Sequence, residues 1–151
     1  MAKGTFEVSL TNPALSGTIE ADVYEQGGVA PTTIIDYDQE WGVKIKWQLS
    51  GSLVPFICGS WCVSLYFESM GAGPEFDLHR THTLELNPCG SGKYDYDFRV
   101  PRGTIRKEHC GRPYKVVAAV TFVTKCGKPG PMAGYVEGPM IQFYESPTIN
   151  N

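Results

Sequence analysis

The sequence predicts an all-β protein. Residues 1–151 read as a single antiparallel β-sandwich of seven to eight short strands with Greek-key-type connections, ending in a frayed tail at 145–151. Three observations carry that expectation. Apolar and polar residues alternate over long runs, as in Val43, Ile45, Trp47 and Leu49 against Lys44, Lys46, Gln48 and Ser50. This is the period of a half-buried strand, because successive Cβ atoms point to opposite faces. Turn residues recur between the runs: 17 Gly and 11 Pro supply positive φ and a preset φ for tight turns. No stretch keeps the period of an amphipathic helix for more than about one turn.

The runs follow in order. Residues 5–10 alternate Phe6, Val8 and Leu10 with polar neighbours, and Asn12-Pro13 ends them. Residues 18–24 place Ile19, Ala21 and Val23 on one face, and Gln26-Gly27-Gly28 breaks the run. The β-branched stretch Thr32-Thr33-Ile34-Ile35 favours extension. Residues 42–50 and 61–68 read as a hairpin around loop 51–60, with an apolar face that needs a second sheet to cover it. Residues 81–86 turn Leu84 and Leu86 inward; 94–100 turn Tyr94, Tyr96, Phe98 and Val100 one way and Asp95, Asp97 and Arg99 the other. The nearly continuous apolar run within 114–123 suits a strand covered on both sides. Residues 135–144 form the last strand.

Trp47 is similar in position to the core tryptophan of immunoglobulin-like domains. The cysteines on the second and sixth strands that mark true immunoglobulin domains are missing, so the likeness is one of architecture.

Composition narrows the function classes. A hydrophobic content of 42% and a charged content of 19% exclude disorder. A net charge of -3 with scattered basic residues gives no footprint for nucleic acid. The tightest basic group, Arg102, Arg106, Lys107 and Arg112, also holds Glu108 and reads as a solvated loop. No apolar signal segment follows Met1 and no run approaches the ~18 apolar residues of a membrane span. The expectation is a cytoplasmic protein with no membrane partner, secreted only if a leader has been removed. Five cysteines, an odd number, and no Asn-X-Ser/Thr acceptor lean the same way.

If successive strands run end to end, loops alternate between the two poles. One pole then collects Cys58, Cys62, Cys89 and Cys126, and the other Asp77, His79, His82, His109 and Cys110. The four cysteines are candidates for disulfides, pairing Cys58 or Cys62 with Cys89 or Cys126, or for a zinc site. Zinc normally takes two Cys-x2-Cys knuckles, which this spacing lacks. Free buried thiols acting as small hydrophobes are the preferred reading. Asp36, Asp38 and Glu40 stand at spacing two and are candidates for calcium, although Trp41 occupies the place where an EF-hand requires Gly. His79 and His82 fall on opposite faces of an extended chain, so a hydrolase built on them or on His109 is the weakest reading, and surface loop histidines are the preferred one.

The leading expectation is therefore a non-enzymatic interaction or assembly module without a cofactor. It docks a protein partner or its own copies through an edge strand or a loop end. The first strand (5–10) and the last (135–144) are the expected edges, since neither carries an inward charge against pairing. The alternative is a sandwich that binds a metal or small ligand at one loop end.

Overall fold

The computed structural model describes residues 2–8, 15–25, 33–70, 78–106 and 110–145. Nine strands form among them: β1 (Ala2–Val8), β2 (Ser16–Glu25), β3 (Ile34–Asp36), β4 (Trp41–Ser50), β5 (Gly59–Ser69), β6 (Leu78–Glu85), β7 (Lys93–Val100), β8 (Pro113–Thr124) and β9 (Pro129–Tyr144). A 3-10 turn, Val54–Phe56, lies between β4 and β5. The strand order is β6-β5-β8-β9-β1-β2-β4-β7, a nearly closed, barrel-like sheet. All pairs are antiparallel except β3, which runs parallel to β9 from Ile34↔Gln142 to Asp36↔Tyr144.

Closure depends on β1. Its first part pairs with β2, from Ala2↔Ala21 to Thr5↔Thr18. Its last part pairs instead with β9, from Phe6↔Gly134 to Val8↔Met132. One strand thus joins a half made of β1, β2, β4 and β7 to a half made of β9, β8, β5 and β6. This corrects the expected edges: β1 and β9 each lie between two neighbours, and the path ends at β6 and β7. The correction has a local cause. Ala2, Lys3 and Gly4 carry little β-propensity, yet they are extended because the β2 ladder holds them.

The expected hairpin of 42–50 and 61–68 is also corrected. β4 pairs with β2 and β7, and β5 with β6 and β8. The connection between them crosses from one half to the other, so the two alternating runs cover each other instead of sharing a ladder. Trp47 meets Trp61 edge-on at 6.2 Å, and Trp41 lies 5.4 Å from Phe67. The core of these aromatics is filled by Ile19, Val43, Ile45, Val63, Leu65, Val116 and Val120. The indole N–H groups of Trp41, Trp47 and Trp61 find no partner among the described residues. Each unpaired donor costs about 1–3 kcal/mol. Burying the ring offsets it, since ~200 Å² at ~25 cal/mol per Å² returns about 5 kcal/mol.

β9 begins before the expected residue 135 and includes three prolines, Pro129, Pro131 and Pro139. The β8–β9 register slips between Thr121 and Val123 and again between Lys115 and Val117. Pro129 and Pro131 fall beside the first slip and Pro139 beside the second, where a missing N–H interrupts no regular ladder. The turn itself is tighter: Gly127 N–H donates to the Thr124 carbonyl at 2.9 Å, with φ at 76°. At the β6–β7 seam no ladder forms among the described residues, and side chains close the gap. His82 stacks on Tyr96 with centroids 3.9 Å apart, and Tyr94 lies 5.7 Å from both Trp47 and Trp61.

Candidate functional site

The loops 51–58, 86–92 and 125–128 gather at one pole. Gly59 pairs with Thr124, Ser60 with Glu85 and Gln48 with Lys93, so all three loops leave the sheet on the same side. Cys58, Cys89 and Cys126 sit there, and Cys62 lies one turn of pleat inside β5. All four are unbridged thiols. Cys58, Cys89 and Cys126 are exposed, which corrects the reading of them as buried hydrophobes. Among the described residues, no three Cys, His, Asp or Glu side chains converge as a metal would require.

The histidine set separates. Asp77 and His109 lie outside the described residues, and Cys110 packs against the core. His79 and His82 belong to β6 and not to a loop. His79 stacks on Tyr66 at 4.4 Å on the outer face, whereas His82 stacks on Tyr96 at the seam. Both imidazoles are held by ring contacts and they point apart.

The three acidic residues are also divided. Asp36 is buried; its Oδ1 accepts the backbone N–H of Asp38 at 3.0 Å, and its own N–H donates to Glu25 Oε2 at 3.1 Å. Asp38 takes both Nε and Nη2 of Arg102, at 3.1 and 3.0 Å. That two-pronged hydrogen bond holds the Asp38 carboxyl below the usual carboxylate range. The site thus uses its carboxylates for turn closure and ion pairing.

The two outer faces of the sheet differ sharply in chemistry. On the β2 half the register sets Lys3 beside Glu20, Glu20 beside Lys46 and Lys46 beside Asp95. A second row follows with Asp22, Lys44 and Asp97. The twist of these strands leaves a shallow saddle of about 700 Å³ lined by the first row and by Thr5, Thr18, Gln48 and Lys93. At its margin the Tyr24 hydroxyl donates to Asp97 Oδ1 at 2.5 Å, and Arg99 pairs with the same carboxylate at 3.5 Å. Burial, followed by the bond to Asp97, pushes the Tyr24 phenol far above its ordinary range.

On the β8 half two successive rows of outward positions are uncharged over four strands. Tyr135 of β9, Ala119 of β8, Ser64 of β5 and Thr81 of β6 make one row; Ala133, Thr121, Cys62 and Thr83 make the next. Val117 and Val123 extend the β8 stripe to either side. Charge returns only at the margins, where Lys115 pairs with Glu137 at 3.0 Å. Tyr135 is 61% exposed, and Val117, Ala119 and Thr121 are half-buried. The nearly continuous apolar run in the sequence signals this face, because a strand with one wet side would alternate with charge.

Sequence reasoning gave no weight to Leu53 and Phe56. Phe56 is 78% exposed and Leu53 37%. The signal was two large apolar residues three apart in a loop bounded by Gly51 and Cys58.

No family model matches the chain, and no curated protein matches it. Among solved structures it is similar to the sporulation control protein Spo0M from Bacillus subtilis, with a TM-score of 0.38 and 11% identity over 85% of this chain. The match covers 49% of the Spo0M chain, so this chain spans about half of its length. It is also similar to chicken MD-1 complexed with lipid IVa, with a TM-score of 0.30 and 10% identity over 87% of this chain and 95% of that one. Likenesses this distant carry no argument about a site.

Proposed function

We propose that this chain is a non-enzymatic interaction module, a two-layered sandwich of immunoglobulin-like architecture that docks through the outer face of β9, β8, β5 and β6. One observation carries the reading: two successive rows of that face are free of charge across four strands, while the opposite face alternates Lys with Glu or Asp row by row. Charged residues are depleted at the centres of protein interfaces and tyrosines enriched there, and Tyr135 and Tyr66 flank the stripe. The facing aromatics of β4 and β5 support the two-layer description.

The partner in the first instance is a second copy of the chain. A flat uncharged face of small residues is its own complement, and two copies related by a two-fold axis bury it reciprocally. The strand spacing and rise make the patch roughly 14 Å by 20 Å. That is well below the ~800 Å² per partner of a standard interface, so the association is weak, in the micromolar range or above. The path-end strands are poor pairing edges by comparison: Arg80 sits on the core-facing side of β6 opposite buried Leu65, and β7 carries Lys93, Asp95, Asp97 and Arg99.

Sedimentation velocity from about 1 to about 500 μM tests the proposal across the range where such a small interface populates a dimer. The wild type is expected to shift toward dimer with concentration, and Tyr135→Lys and Ala119→Lys to remain monomeric with unchanged circular dichroism. A wild-type monomer at every concentration refutes self-association, as does a dimer that both substitutions leave intact.

A further inference from the structure

The geometry points to a second surface, independent of the first: the pole formed by loops 51–58, 86–92 and 125–128 docks on an anionic lipid surface. The 3-10 turn sets up its apolar tip. With three residues per turn, side chains at i and i+3 eclipse, so Leu53 and Phe56 share one side and Val54 and Ile57 another. Val54 and Ile57 pack on the core. Leu53 and Phe56 are therefore driven outward, and Phe56 becomes the most exposed large apolar residue among those described, at 78%.

The tip is braced on the core through Val54 and Ile57, and its backbone is internally bonded. Val54 N–H donates to Gly51 O at 3.3 Å, Phe56 N–H to Leu53 O at 2.9 Å, and Ile57 N–H to Val54 O at 3.3 Å; Pro55 has no N–H to satisfy. A loop entering the headgroup region needs both properties, because unpaired backbone groups are costly there. The charge around it is net positive, with exposed Glu85 at the end of β6 set against three lysines. The three loops contain no Asp or Glu, while Lys125 and Lys128 lie exposed in the β8–β9 turn and Lys93 opens β7 beside Gln48. The opposite pole mixes signs, with Glu25, Asp36, Asp38, Glu40 and Glu68 beside Arg102, Arg106 and Arg112. An apolar tip on a pole of net positive charge complements a surface with negative headgroups above hydrocarbon.

A protein partner fits less well. The tip is convex and offers two apolar side chains, where a protein hot spot needs a broad ring of neighbours to exclude water. Docking of this kind uses no spanning helix, and no helix among the described residues is long and apolar enough to cross a membrane.

Co-sedimentation of the full chain with large unilamellar vesicles tests the assignment, using phosphatidylcholine alone and phosphatidylcholine with about 30 mol% phosphatidylserine, which sets the negative surface potential. Binding is expected on the anionic vesicles, weaker by at least about tenfold on the neutral ones and in high salt. Phe56→Ser should lower it about tenfold through lost apolar burial, and the Lys125→Glu, Lys128→Glu double variant by at least as much. A Phe56→Trp variant supplies a second readout, since its emission should shift to the blue when anionic vesicles are added. No sedimentation with anionic vesicles, equal binding to both compositions, or a tryptophan at 56 that stays solvent-exposed overturns the proposal. Tyr135→Lys is expected to bind vesicles as the wild type does, which separates this surface from the self-association face.

Discussion

Phe6 stands where β1 leaves one partner for the other, and its removal tests the account of closure. Its ring is 9% exposed and meets Trp61 edge-on at 5.7 Å. It also lies over two glycines: a Cβ at Gly134 would come within 2.3 Å of Phe6 Cδ1, and one at Gly17 within 2.8 Å of its Cγ. Truncating a buried Phe to Ala costs about 3–5 kcal/mol, a large part of the ~5–15 kcal/mol that holds a domain folded. Gly134→Ala alone forces a methyl into the ring and costs about 1–3 kcal/mol. In a Phe6→Ala background the same methyl enters vacated space, and losing a glycine from the unfolded chain helps by roughly 0.5–1 kcal/mol. The second substitution should therefore change sign, giving a coupling of about -1.5 to -4 kcal/mol. Urea unfolding followed by tryptophan fluorescence reads all four corners of the cycle, because Trp61 reports on Phe6 directly. Additivity within about 0.5 kcal/mol would show that the ring does not seal the junction.

Three other outcomes are expected. The phenol of Tyr24 is raised by burial and by its bond to Asp97, so its folded value exceeds the unfolded one near ~10. The stability it contributes is complete below that pH and is lost as pH rises above it; Tyr24→Phe should flatten the alkaline limb of a stability–pH curve, leaving the weaker contributions of Tyr114 and Tyr144, also raised by burial. Asp38, lowered by Arg102, contributes stability that is present above its unfolded value near ~3.9 and disappears as pH falls through the lower folded one. An NMR titration should find it among the last carboxylates to protonate, and Asp38→Asn should remove that acid-side slope, lowering stability slightly at neutral pH and leaving it unchanged below the folded value. Arg80→Val removes the charge on the core-facing side of β6 and should produce concentration-dependent aggregation visible by light scattering; a variant that stays as soluble as the wild type would mean the charge does not guard that edge.

The strands were legible where packing is local. Alternation at 43–49 and 94–100 placed every inward residue on the observed face, since a half-buried strand records its own orientation in its sequence. Polarity of the loops was legible for the same reason: reversing direction at each connection puts Cys58, Cys89 and Cys126 at one pole whichever strands pair. Pairing itself was not legible. Val43 to Leu49 and Trp61 to Phe67 look the same whether they share a ladder or face each other across a core, because both arrangements demand one apolar face. Loop 51–58 decides between them through the anchoring of Val54 and Ile57, a tertiary contact with no local mark. The exchange of partners within β1 has the same character, since only the position of β9 turns Phe6 away from the β2 ladder.

The asymmetry of the molecule follows from these long-range contacts. One nearly closed sheet around one core has an outer surface with two halves and two poles, and each carries its own composition. The β2 half spends its outward positions on alternating charge, which holds water against the sheet and opposes stacking. The β8 half places Val117, Ala119 and Thr121 outward, and nothing in that stripe opposes a second surface. Along the strands, one pole mixes carboxylates with arginines, and the other sets Lys93, Lys125 and Lys128 near Phe56 against Glu85. A core needs none of these distinctions, because either outer face would fold equally well with charges on it. Residues that folding leaves optional, and that are nonetheless apolar and exposed, mark the surfaces where this domain meets something other than water.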